Sequence, residues 1–258
     1  MDLTLAGRTY VVMGVANRRS IAWGIAQALD KAGARLIFTY NNERFRESVE
    51  KLAATLNGKE SLFYPCDVTS DAEIAGTFAQ IGKDAGKIDG IAHCIAFARK
   101  EELKGDYMNT TRDGFLLAQN VSAYSLTAVL KEAKNLMPGG GSVVTMTYLG
   151  GERVVRNYNV MGVAKASLDA SVKYLANDLG KANIRVNAIS AGPVRTLSAK
   201  GISDFNSVRD LIEEKAPLHR SISPEDVGNT ALFLFSDLSR NITGETIHVD
   251  AGFNIVSI

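Results

Sequence analysis

The chain has 258 residues, of which 46% are hydrophobic and 22% charged, with a formal net charge of +1. This balance fits one soluble α/β unit with a substantial core, and it excludes a polyanion-wrapping surface or an acidic tail, so nucleic acid is not an expected partner. The two cysteines, Cys66 and Cys94, lie in apolar strand-like runs without metal-ligand spacing; they read as buried free thiols in a reducing compartment. No apolar leader core follows a basic cluster at the start, and no run approaches the roughly 20 apolar residues of a membrane span. A cytoplasmic location without membrane insertion is expected.

Short apolar runs alternate with segments of helical period. Strands are predicted at Thr9–Met13, 35–39, 61–65, 90–95, Gly141–Thr147, 184–189 and Thr246–Val249. After the first strand, Ile21, Ile25, Ala26 and Leu29 form an apolar stripe that predicts a helix packed on it. Ser70 followed by Glu73 suits a capping box, and Ser223-Pro224 places an N-cap before a proline at the first helical position. Parallel strands need crossover connections, so this alternation predicts a single Rossmann-type, doubly wound domain over residues 1–258: a seven-stranded, mostly parallel sheet with helices on both faces. The Gly-, Ser- and Pro-rich stretch 191–207 follows a strand's carboxyl end and is expected to be a loop covering the active site.

The first strand runs into Gly14-Val15-Ala16-Asn17-Arg18-Arg19-Ser20-Ile21-Ala22-Trp23-Gly24 and then a helix. Free N–H groups and the helix dipole make such a turn an anion site suited to a pyrophosphate. The G-x-G-x-x-G spacing is absent, and in the G-x-x-x-G-x-G form Arg18 and Ser20 stand in the second and third glycine slots. The second strand ends Thr39-Tyr40-Asn41-Asn42, without the carboxylate that would hold an adenosine ribose about 20 positions on. A 2′-phosphate would want converging cations, and only Arg44 is close, whereas Asn41 can hydrogen-bond a ribose hydroxyl. NADH is favoured, with NADPH as the alternative.

Tyr158 and Lys165 stand seven residues apart, which at about 100° per residue returns them nearly to one helical face. Ordinary short-chain dehydrogenases carry Tyr-x3-Lys with a serine 13 positions before the tyrosine; here those two slots hold Met161 and Tyr148. The arrangement Tyr148-x9-Tyr158-x6-Lys165, together with Gly14-x5-Ser20-Ile21-Ala22-x-Gly24, resembles bacterial enoyl-acyl-carrier-protein reductases, a divergent branch of the short-chain dehydrogenases. The resemblance runs from the glycine turn to the last strand. Conjugate reduction offers a reason for the shifted tyrosine: hydride reaches the β-carbon while charge develops on an oxygen two carbons further on. Three residues of helix displace a side chain by about 4.5 Å, the scale required.

The resemblance implies reduction of enoyl thioesters held on acyl carrier protein in type II fatty-acid synthesis, with Tyr158, Lys165 and Tyr148 as the catalytic set. It implies that Gly14 approaches the cofactor, that Ser20 and Ile21 contact its phosphates, that Asp67 and Val68 flank the adenine, and that Ile95 lies along it. Lys165 holds the nicotinamide ribose, and Val194, Arg195, Thr196, Leu197 and Ser198 close over the nicotinamide. Phe97, Ala98, Tyr148, Met161, Ile202 and Phe205 line the acyl pocket, and the tail after Gly244 implies a homotetramer. Lys200 and Arg209 are candidates for meeting an acidic carrier protein. His93, His219 and His248 read as structural or superficial, without partners at metal spacing, so no metal is expected. Arg156 has no functional reading. Two rivals are a carbonyl or 3-oxoacyl reductase on the same fold, which predicts Tyr-x3-Lys, and a non-catalytic nucleotide sensor, which has no need of a Tyr–Lys pair.

Overall fold

The computed structural model describes residues 3–58, 60–194, 196 and 213–256. Within them, β1 (Thr9–Met13), β2 (Arg35–Tyr40), β3 (Leu62–Pro65), β4 (Gly90–His93), β5 (Gly141–Thr147), β6 (Ile184–Ala191) and β7 (Thr246–Val249) form one sheet. Its order is β3-β2-β1-β4-β5-β6-β7, and every pairing is parallel. The expected mostly parallel sheet is therefore wholly parallel among the described residues. Four strand boundaries differ from the sequence reading: β2 runs one residue further, β3 begins one residue later, and the ends of β4 and β6 each move by two. β4 stops at His93 rather than at residue 95: Cys94 still donates to the Met13 carbonyl at 3.3 Å, but at Phe97 the backbone is tied through both N–H and C=O to the Ser122 hydroxyl. β6 runs on to Ala191 because β7 pairs with its carboxyl half, Ala188–Ala191, and the Gly192 N–H extends the pairing to the Val249 carbonyl.

Strand residues alternate between two apolar layers, as a sheet buried on both faces requires. Tyr10 and Val12 of β1 face one side with Leu36, Phe38, Val144 and Ile189. There they meet α1 (Ile21–Lys31), α2 (Glu43–Ala53) and α7 (Pro224–Phe235). Val11 and Met13 face the other side with Ile37, Ile91, Val143 and Val186, under α3 (Asp71–Ala85), α5 (Ser125–Ala133) and α6 (Asn159–Gly180). The remaining helix, α4 (Arg112–Gln119), joins α5 through a π-helical turn at Asn120–Tyr124. The predicted stripe on α1 is the buried face: Ile25, Ala26 and Leu29 are inaccessible, with Ile21 half-buried at the N-terminus.

Caps follow the sequence closely, with one correction. Ser223 and Asp226 make a reciprocal capping box with Pro224 at the first helical position of α7. Ser70 caps α3 by accepting from the Glu73 N–H, but the Glu73 carboxylate reaches past the N-cap to the Asp67 N–H at 3.0 Å. The box is opened to hold the loop after β3 instead. Chain order then fixes the working end. The path winds outward from β1 to β3 and returns at β4, so a ligand crevice is expected outside the carboxyl ends of β1 and β4, where the connections leave in opposite directions.

At the end of β4, His93 is fully buried, with Nδ1 3.1 Å from Thr145 Oγ1 and Nε2 2.9 Å from Ser125 Oγ. Burial, helped by the nearby Lys165 charge, pushes its pKa down to about 3. The ring is therefore neutral, donating to one hydroxyl and accepting from the other. In the unfolded chain it titrates near its ordinary 6.5, so the unfolded state takes up a proton that the native state refuses. Stability is full above that value and is lost as pH falls toward 3. We expect this group alone to lower the unfolding free energy by about 2 kcal/mol between pH 7.5 and 5.0, and His93→Gln to flatten that slope in urea titrations.

Candidate active site

Gly14 is the first residue past β1 and adopts φ +93. A Cβ there would stand 2.1 Å from the Cys94 carbonyl oxygen, so the turn passes the end of β4 with no room for a side chain. Ser20, the N-cap of α1, is buried and turns its Oγ back into the loop, accepting from the N–H groups of Ala16 at 3.1 Å and Asn17 at 3.0 Å. With its lone pairs engaged, the hydroxyl has its O–H left to donate, the polarity a phosphate oxygen demands. Beside this turn a hollow of about 460 Å³ is lined by Arg18, Arg19, Pro193, Val194 and the start of α7. Arg18, which stands in the second glycine slot, and its neighbour Arg19 thus bring positive charge to the phosphate end, with Glu213 on the same lining. A Gly14→Ala variant is expected to bind NADH about tenfold more weakly or worse, because the left-handed conformation alone costs about 1–2 kcal/mol with a Cβ. Fluorescence titration measures it.

Further round the crevice, Asn41 is exposed past the tip of β2, and Asn42 caps α2 by accepting from the Arg44 N–H. The Arg44 guanidinium lies over the Phe45 ring, 4.7 Å from its centroid. Asp67 folds its own turn, accepting from Thr69 N–H and Oγ1 at 2.9 and 2.8 Å, while Val68 is buried and Ile95 half-buried against the core. Val194 is buried, and its carbonyl accepts from the Thr196 N–H at 2.7 Å. Arg195, Leu197, Ser198, Ile202 and Phe205, with Lys200 and Arg209, lie outside the described residues, as does most of the expected cover at 191–207.

The Tyr–Tyr–Lys set assembles at the carboxyl end of β5. Tyr148 follows the strand directly; Tyr158 is the N-cap of α6, and Lys165 lies in its second turn. The helix begins only at Asn159, with Asn157 and Asn159 at φ 64 and 40, so the 4.5 Å helical displacement is a guide to scale rather than a measured rise. The two tyrosine rings meet edge to face, with centroids 4.9 Å apart at 70°. Tyr158 shares an apolar cluster with Met161, Ala164, Leu103 and Ala118, against which Ala98 and Tyr148 pack. Three of the expected pocket residues, Ala98, Tyr148 and Met161, are thereby brought together, whereas the Phe97 side chain is 51% exposed.

Lys165 is buried and donates from Nζ to the Met146 carbonyl at 2.7 Å. Burial drives its pKa down to about 8, against the opposing influence of Asp169 and Cys94. Burial likewise drives Tyr158 far above the usual phenol range, with Tyr148 and Asp169 adding to the rise, and takes Tyr148 up to about 12. A lysine near a phenol in general lowers the cost of its phenolate. Here burial and the neighbouring Tyr148 and Asp169 all act the other way, and Tyr158 is a neutral hydrogen-bond donor. Sequence reasoning missed the Met146 carbonyl, Thr147 and Asp169; of these only Asp169, one turn beyond Lys165, left a signal in the helical spacing.

A wholly parallel doubly wound sheet with a phosphate-type turn at its switch point defines a Rossmann-type dinucleotide-binding protein. The family model described as Enoyl-(Acyl carrier protein) reductase matches residues 14–254. The enoyl-[acyl-carrier-protein] reductase [NADH] of Bacillus subtilis is 68% identical over the full length of both chains. The corresponding [NADPH] enzyme of Staphylococcus aureus is 60% identical over 98% of this chain and 99% of its own. A crystal structure of the Bacillus cereus enoyl-acyl carrier protein reductase with NADP+ and an indole naphthyridinone superposes at a TM-score of 0.98, with 65% identity and full coverage of both chains. The chain belongs to the enoyl-(acyl carrier protein) reductase family.

Proposed function

We propose that the chain is an enoyl-[acyl-carrier-protein] reductase that saturates trans-2-enoyl thioesters of type II fatty-acid synthesis with NADH, or alternatively NADPH. One observation carries this reading: Tyr158 and Lys165 are both buried at the start of α6, while the slot four residues before Lys165 holds Met161, buried and without an acidic proton. A carbonyl reductase needs its acid in that slot. The residues present suit a dinucleotide: a glycine turn with no room for a Cβ, a buried hydroxyl with a proton to give, and a buried ammonium at the opposite end of the crevice.

Gly14, Ser20 and Ile21 would hold the phosphates, Asn41, Asp67 and Val68 the adenosine, and Ile95, Lys165, Val194 and Thr196 the nicotinamide half. When bound, that cofactor supplies the hydride that goes to the β-carbon of the enoyl group. Tyr158 donates a hydrogen bond to the thioester oxygen as it gains charge, and its neutral state is what that donation requires. Lys165 keeps a positive field beside the developing enolate and binds ribose hydroxyls. Tyr148 fixes the Tyr158 ring by edge contact, and with Met161 and Ala98 it forms an apolar wall for the acyl chain.

The neutral Asn41 at the tip of β2, and Arg44 committed to the Phe45 ring, favour NADH. Relatives named for NADH and for NADPH both occur. Residues 1–258 serve as one catalytic domain, with 191–207 as its cover and Lys200 and Arg209 toward an acidic carrier protein. A cytoplasmic homotetramer is the assembly proposed. Among the described residues no helix is long and apolar enough to cross a membrane. Steady-state oxidation of NADH and NADPH with crotonyl and acetoacetyl thioesters in parallel tests the reading. Turnover of the crotonyl substrate alone supports it, and preference for the acetoacetyl one sinks it.

A further inference from the structure

Lys165 has a charged companion. Asp169 lies one turn further along α6, at the spacing that sets two side chains on one helical face. Opposite stands Thr147, the last residue of β5 and the neighbour of Met146, whose carbonyl receives the Lys165 ammonium. Thr147 is only 4% exposed. Its Oγ1 and Asp169 Oδ1 are both shut off from solvent and make no hydrogen bond among the described residues. Gly151 closes the remaining side: a Cβ there would stand 2.8 Å from Asp169 Oδ2 and 3.0 Å from both the Lys165 carbonyl carbon and the Ala166 nitrogen. The turn after β5 is fitted to the carboxylate and to the backbone of the lysine at once. Leaving a buried carboxylate oxygen and a hydroxyl without partners costs about 1–3 kcal/mol apiece, which packing alone does not explain.

We propose that Asp169 is a positioning residue for the reduction: its carboxylate, enclosed by Thr147 and Gly151, keeps Lys165 charged and extended across the Met146 carbonyl, where the lysine meets the cofactor ribose. The inference rests on the enoyl-reductase reading. Electrostatics run the same way, since Asp169 is the foremost influence opposing the effect of burial on Lys165, followed by Cys94, the first residue past β4. Lys165 and Lys173 on α6, Thr147 on β5 and Glu152 after the Leu149–Gly151 turn all act on Asp169. Burial raises its carboxyl, the Thr147 hydroxyl and the two lysines lower it, and Glu152 raises it. Glu152 is itself paired with His248 of β7 at 2.8 Å, which moderates its charge.

The test is NADH affinity by fluorescence titration from pH 6 to 9.5, alongside kcat/KM for a crotonyl thioester, in the unaltered protein, Asp169→Asn and Asp169→Glu. Loss of a nearby opposite charge shifts a lysine by about one unit or more. The alkaline fall in NADH affinity should therefore move to lower pH in D169N, giving about tenfold weaker binding at pH 8.5 and near-unaltered binding at pH 6.5, with D169E restoring the profile. A limb that stays in place, even with activity lowered, overturns the proposal. If D169N does not fold, Thr147→Val carries the test, with a smaller shift in the same direction expected and a fixed limb again overturning it. NADH binding needs no substrate, so a protein that shows this limb but reduces no enoyl thioester would refute the activity and leave the role of Asp169 standing.

Discussion

Lys165→Met is expected to lower kcat/KM by about a thousandfold or more, a loss of about 4 kcal/mol of transition-state stabilisation, while leaving the protein at least as stable as before. The two halves of this expectation have separate causes. Activity falls because the ammonium is the one group on α6 that supplies positive charge at the crevice, with Nζ fixed on the Met146 carbonyl. Stability holds because keeping that ammonium charged inside the fold is unfavourable. A pKa brought from 10.5 to about 8 corresponds to about 3 kcal/mol against the charged form. The sign follows: the unfolded chain holds its proton more tightly than the native one, so this group adds stability as pH rises from 8 to 10.5 and none below 8. Methionine fills the slot without charge, and the carbonyl it leaves unpaired costs about 1–3 kcal/mol, so the two effects nearly cancel. Calorimetry at pH 7 beside a crotonyl-thioester assay separates them. A large drop in melting temperature would mean that the lysine serves the fold rather than the reaction.

This opposition between site and fold bears on what a sequence can disclose. The strands were legible because each is a short apolar run buried on both faces; Thr9–Met13, Gly141–Thr147 and Thr246–Val249 match the structure residue for residue. Where the reading missed by more than one residue, at the ends of β4 and β6, the ladder is governed by residues far away in the chain, Ser122 and Val249, which no local pattern reports. The same division runs through the site. Tyr148, Tyr158 and Lys165 were visible as residue types at a spacing, and the structure gathers them at one strand end. The Met146 carbonyl was invisible because every residue has one, and only the fold selects which will accept from the lysine. Thr147 and Asp169 are ordinary residues by composition; the shutting off of Thr147 Oγ1 and Asp169 Oδ1 from solvent arises from packing between α6, β5 and the Gly151 turn. The charge state of Tyr158 is hidden for a related reason: spacing suggests a neighbouring lysine, but the depth of burial decides whether the phenol yields its proton.

Tyr158→Phe should lower kcat by about 10²–10³ while leaving NADH affinity unaltered, the signature of a group that acts only as charge develops. The substitution removes one oxygen and nothing else: the ring keeps its edge contact with Tyr148 and its place beside Met161 and Ala164. A phenol so far from ionising cannot serve as a base, but as a donor in a water-poor pocket it is already aligned, so the hydrogen bond to the thioester oxygen costs little reorganisation when the charge forms. Because the ordinary acid slot holds Met161, no second hydroxyl stands ready on α6 to take over. Tyr148 is the nearest phenol, and its ring lies edge-on against Tyr158. Tyr148→Phe should therefore reduce turnover far less, by less than about tenfold, and the double variant should match Tyr158→Phe within a factor of about two or three. Equal losses from both single variants would instead divide the donor role between the two phenols.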